Sequence, residues 1–147
     1  VLNVPYLESD LFYPGSSQRS GVLAWVGKGR QGAVPAGTRF ITHQWPSTRE
    51  DLADVLRSAE YLISFDAYSA INHEATLCGC PVVVIGNDQW NLSSLVSGPM
   101  KIHGAVDDAS KLDEARVEVV KSYQEYLDYH PIMAKQLDAF IEQTQIL

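Results

Sequence analysis

The chain has 147 residues, 46% of them hydrophobic and 20% charged, with a formal net charge of -7. This is the make-up of one globular domain with enough apolar material for a real core. The acidic balance excludes a general nucleic-acid binder, which needs a basic face against phosphates, but leaves room for a small nucleotide held by local cations and backbone amides.

The first nineteen residues, with Pro5, Pro14 and Gly15, read as irregular. Val22–Val26 is a short apolar run ending at Gly27 and is the first expected strand. Lys28–Thr38, with three glycines and a proline, reads as a loop, and Arg39–Thr42 as the second strand. Ser47-Thr48-Arg49-Glu50 has the form of a capping box, and behind it Leu52, Val55, Leu56 and Ala59 recur at helical spacing. Tyr61–Phe65 reads as a buried strand, followed by a small-residue turn, a helix-like segment, the break Gly79-Cys80-Pro81 and a β-branched strand, Val82–Ile85. Asn87–Pro99 is polar and turn-rich, and Lys101–Val106 is the last expected strand. From Ala109 a long helical pattern runs with Leu112, Ala115, Val119, Tyr123 and Tyr126 on one stripe. Pro131 is expected to break or kink it, leaving a final helix, Ile132–Gln145, with Met133, Leu137, Phe140 and Ile141 along one side. Strands alternating with helices predict an α/β fold with a Rossmann-like, doubly wound parallel sheet. No run of about eighteen apolar residues is present, so no membrane-spanning helix is expected. Cys78 and Cys80 lack the spacing of a structural zinc site and read as buried, reduced thiols of a cytoplasmic protein. No signal-like region follows Val1, and the chain reads as a piece of a longer protein.

The densest chemistry lies in the β-α-β unit Tyr61–Gly86, where Asp66 ends a strand and Glu74 follows eight residues later on the helix. In open α/β sheets ligands gather at such strand ends. A carboxylate accepts several hydrogen bonds at once, which suits the vicinal hydroxyls of a ribose. Ser69, Ala70 and Ile71 are placed to offer the first helical amides to a phosphate, with Ser69 as the N-cap. Trp45, with His43 and Gln44, follows the second strand on the same sheet edge and has a face on which a base can stack. No G-x-S-x-G elbow and no P-loop spacing occurs.

The sequence Ser64-Phe65-Asp66-Ala67-Tyr68-Ser69, then Glu74-Ala75, then Gly79-Cys80-Pro81-Val82-Val83 resembles the donor-site signature of retaining glycosyltransferases of the GT-B fold, of the group 1 type. Asp66 stands where that family more often has Glu, and Tyr68 where it has an aromatic between two small residues. The resemblance extends more weakly to Val4-Pro5, Phe12-Tyr13-Pro14, Gly21-Val22-Leu23 and Val26-Gly27-Lys28, so that residues 1–147 correspond to a C-terminal, nucleotide-sugar-binding domain. It implies a whole enzyme that transfers a sugar from a nucleoside diphosphate sugar, with retention and without a metal, in a cleft against an N-terminal acceptor domain. In that frame Asp66 is the catalytic-site acid on the transferred sugar, and Glu74 binds the ribose. Gly27 and Lys28, with Arg30 as a second cation, face the diphosphate. The isolated chain is expected to be inactive, with the C-terminal helices, about 109–147, crossing toward the missing domain and their bare stripe favouring a weak homodimer. The parent enzyme is expected to be cytoplasmic, at most peripheral to the inner face of a membrane. The alternative is a non-catalytic nucleotide-binding or regulatory module on the same kind of sheet.

Overall fold

The computed structural model describes residues 7–15, 18–96 and 102–145. Val4, Pro5 and Lys101, on which parts of the sequence reading fall, lie outside them. Five parallel strands form one sheet: β1 (Val22–Trp25), β2 (Arg39–Ile41), β3 (Tyr61–Ser64), β4 (Val82–Val84) and β5 (Ala105–Val106), in the order β2-β1-β3-β4-β5. Each expected strand is present, most of them ending a residue early. The register sets Ala24 beside both Phe40 and Ile63, and Ile63 beside Val83.

Side chains alternate between the two faces. Leu23, Ile41, Leu62, Val82 and Val84 point into the main core, against α1 (Arg49–Ser58), α2 (Ile71–Leu77) and part of α5 (Ser122–Gln145). Ala24, Phe40, Ile63, Val83 and Val106 point the other way. The connection from β1 to β2 contains no helix, so the loop residues Val26 and Val34 cover the second face there. The rest of that face is covered by Leu112 and Ala115 of α4 (Leu112–Glu118).

α1 begins one residue later than the capping-box reading places it. Thr48, in the extended conformation a cap requires, accepts the Asp51 N–H at 3.0 Å, and Asp51 receives the Ser47 hydroxyl at 3.2 Å. Leu56 and Ala53 are its buried stripe, and full burial of a leucine contributes about 1.5–3 kcal/mol. A short helix, α3 (Leu92–Val96), occupies part of the stretch read as turns.

The C-terminal helical run is broken by a 3-10 turn at Val119–Lys121. Before the turn Leu112 and Ala115 pack on the second face; after it Tyr126 and Met133 pack on the first. The run therefore wraps the β5 edge of the sheet, the kind of edge that otherwise invites strand pairing. His103, just before β5, sits between Glu118 and Glu125, and its carbonyl accepts the Ser122 hydroxyl at 2.7 Å. The buried Tyr126 hydroxyl takes the Leu7 N–H at 2.7 Å and donates to the Leu7 carbonyl at 2.9 Å, tying the start of the described chain to α5. Pro131 does not end the helix. It lies on the exposed side, while Tyr126 and Met133, seven residues apart, hold the opposite side to the body. Beyond Met133 the face is bare: Leu137, Phe140 and Ile141 are exposed. Among the described residues no helix is long and apolar enough to cross a membrane.

Candidate functional site

The strand order reverses between β1 and β3, because the chain leaves β1 for β2 on one side and returns to β3 on the other. At that reversal the loop after β1 and the turn after β3 meet at the carboxyl edge. The two are joined by one side chain. Asp66 Oδ2 accepts the Lys28 N–H at 3.0 Å, and Oδ1 accepts the Tyr68 N–H at 3.1 Å. The second contact is an Asx turn, in which a short acid reaches the amide two residues ahead; a glutamate, one methylene longer, does not close the same ring. Asp66 thus meets a local geometry that a glutamate would not. The Asp66 carbonyl is held in turn by the Asn72 side-chain amide at 2.8 Å and the Ser64 hydroxyl at 3.1 Å.

Glycine is required on the β1 side. Gly27 has φ +54, and a Cβ there would lie 2.5 Å from Asp66 Oδ2 and 2.6 Å from Trp25 Nε1. A Cβ on Gly29 would overlap the Phe65 carbonyl. The two loops therefore approach as closely as backbone allows.

Above this junction lies a cleft of about 540 Å³, lined by Lys28, Gly29, Phe65, Asp66, Ala67, Tyr68, Asn87 and Trp90, a size ordinary for a small-molecule site. Lys28 makes no ion pair among the described residues. Tyr68 and Trp90 meet edge to face, centroids 4.5 Å apart. Trp90 is placed by Asn87, whose Oδ1 accepts the N–H groups of Gln89 at 2.9 Å and Trp90 at 2.8 Å.

Of the residues singled out from sequence, the structure brings Gly27, Lys28, Asp66 and Tyr68 together. It does not bring the others to the cleft lining. Glu74 is buried and bonded to Arg49 at 2.9 Å; Arg49 also reaches Glu8 at 2.9 Å. That bond to Glu74 holds the Arg49 guanidinium above its ordinary pKa. Ser69 is not the N-cap: its N–H turns back to the Asp66 carbonyl at 3.3 Å, and the cap position falls to Ala70, which supplies no side-chain bond. The helix it was to open has seven residues, so its dipole offers little. Arg30 is exposed, and Trp45 lies under the Arg39 guanidinium, 4.0 Å from its ring centroid. Burial lowers the His73 pKa and pushes the Cys78 and Cys80 thiols up to about 12. Both cysteines are free and buried, as the sequence reading has them.

Phe65, Asn72, Asn87 and Trp90 were not singled out from sequence. Asn87 carried a usable signal: it follows Gly86 at the end of β4, the same kind of position that Asp66 holds after β3. A larger cleft, about 600 Å³, opens at the opposite edge of the sheet beside Arg19, Glu60, Gly79 and Arg116. Its central cation is already occupied, since Arg19 donates to the carbonyls of Leu56 at 3.0 Å, Ala59 at 3.1 Å and Cys78 at 2.6 Å. We therefore place the site at the carboxyl edge. Searches against protein-family models, curated proteins and solved structures find no match to the chain.

Proposed function

We propose that the chain is the nucleotide-sugar-binding domain of a retaining glycosyltransferase, its acceptor domain lying outside this sequence. The observation that carries the reading is the cleft at the β1/β3 reversal, where doubly wound sheets bind nucleotides, with an unpaired lysine on one lip and the motif acid on the other. Lys28 faces the diphosphate, and the free lone pairs of Asp66 face the transferred sugar. Glu74 reaches a ribose only when its pair with Arg49 opens. No metal is called for by the motif resemblance, and the phosphate charge falls to Lys28, with Arg30 nearby in sequence.

One observation favours a second reading, a non-catalytic nucleotide-binding or regulatory module: both motif acids are already engaged, Asp66 by two backbone amides and Glu74 by Arg49. Titration calorimetry separates the two. Uridine or guanosine diphosphate is expected to bind, with affinity raised by an attached sugar and lowered by Glu74→Ala. Affinity indifferent to the sugar and to Glu74 selects the module. No binding of any of these ligands at millimolar concentration contradicts both.

A further inference from the structure

Tyr68 and Trp90 stand 64% and 48% exposed, and neither belongs to a core cluster. They come from different loops, each pinned by an Asx-type turn, through Asp66 and Asn87. Their rings are perpendicular, 88° between planes. Such a pair leaves no slot between its rings for a flat base. It makes a corner, in which one ring offers its face and the other its edge.

Groups of both senses surround this corner. The Lys28 ammonium donates. Asp66 keeps accepting capacity on each oxygen beyond its single backbone amide. Asn87, its Oδ1 already taken by two amides, has its side-chain N–H₂ to give. A saturated ring bearing hydroxyls fits all of this: its C–H face lies on the aromatic surface, and its hydroxyls both donate and accept. We infer that the Tyr68–Trp90 corner is a subsite for a sugar ring, with Trp90 as the stacking surface and Asn87 as a contact that discriminates among hydroxyl configurations. This deepens the donor-binding reading and rests on it for what the ring is attached to.

The test follows the indole N–H signals of the three tryptophans by heteronuclear NMR. The protein is titrated with methyl glycosides of gluco, galacto and manno configuration and, separately, with free uridine and guanosine. At least one glycoside is expected to move the Trp90 signal at millimolar concentration while Trp25 and Trp45 stay in place. In variants that lack the Trp90 indole, binding is read from the Tyr68 and Asn87 backbone amides: Trp90→Ala should weaken it at least tenfold and Trp90→Phe should restore most of it. Asn87→Ala should change the order of preference among the three glycosides. Nucleosides moving Trp90 while glycosides do not would make the corner a base platform and overturn the inference. Silence of Trp90 toward both would leave the pair a loop closure and overturn it equally. Because the glycosides carry no nucleotide, this result stands apart from the calorimetric one: a chain that binds glycosides but no nucleoside diphosphate refutes the donor reading and keeps the subsite.

Discussion

The two edges of the sheet open into clefts of similar size, about 600 Å³ at the amino edge and about 540 Å³ at the carboxyl edge, yet they spend their polar groups differently. At the amino edge Arg19 gives its donors to three carbonyls at the ends of α1 and α2, so its charge caps helices. At the carboxyl edge the fixing is done by small polar side chains, Asp66, Asn72 and Asn87, acting on backbone. The long side chains there, Lys28, Tyr68 and Trp90, project without a core to fill. Cleft volume does not tell structure from function here; what remains unengaged after folding does.

Removing Arg19 gives the largest expected effect. Arg19→Ala loses three charge-assisted bonds and leaves helix-end carbonyls unpaired, which should cost about 3–4 kcal/mol in urea unfolding without changing ligand affinity in the surviving folded fraction. Asp66 comes next. Asp66→Ala frees the two loops from each other and should cost about 2 kcal/mol; Asp66→Asn, which keeps the Asx turn, should cost about half of that, and Asp66→Glu about as much as alanine. A glutamate variant as stable as the native protein would break the geometric explanation for Asp.

The layer between the edges has its own signature. Burial lowers the His73 pKa, so the folded state binds this proton less readily than the unfolded chain, which takes it up below about pH 6.5. Stability from this group is thus complete above that value and is lost as pH falls below it. The fall in stability from pH 7 to 5.5 should be shallower in His73→Gln, measured by urea midpoints. The smallest stability effect is expected at Lys28, the residue proposed to face the phosphate. Lys28→Ala should leave stability within about 0.5 kcal/mol and weaken nucleoside diphosphate binding roughly tenfold, with nucleoside binding unchanged. Equal losses for both ligands would remove Lys28 from the phosphate.

Sequence patterns carried the sheet because its strands are short apolar runs bounded by Gly, Pro and acids, as in Tyr61–Phe65 and Val82–Ile85. They placed Lys28 and Asp66 at one edge because strand ends are legible. They misplaced what depends on bonds between distant segments. Glu74 looked available until Arg49, 25 residues away, paired with it, whereas Ser69 missed the cap for a local reason, since the turn closed by its N–H on the Asp66 carbonyl carries the chain one residue further before the helix starts. Pro131 looked like a break because local sequence does not reveal which side of a helix faces water. Trp90 was seen only as part of a polar, turn-rich stretch, because its partner Tyr68 belongs to another loop.

The central claim is that the carboxyl edge, at the β1/β3 reversal, is the binding edge. Backbone amide shifts recorded while uridine or guanosine diphosphate is added test it most directly. The account predicts movement at Lys28, Gly29, Ala67 and Tyr68, with Arg19, Glu60 and Gly79 at the amino edge unmoved. Shifts concentrated on Arg19, Glu60 and Gly79, or none at either edge at millimolar ligand, would contradict it.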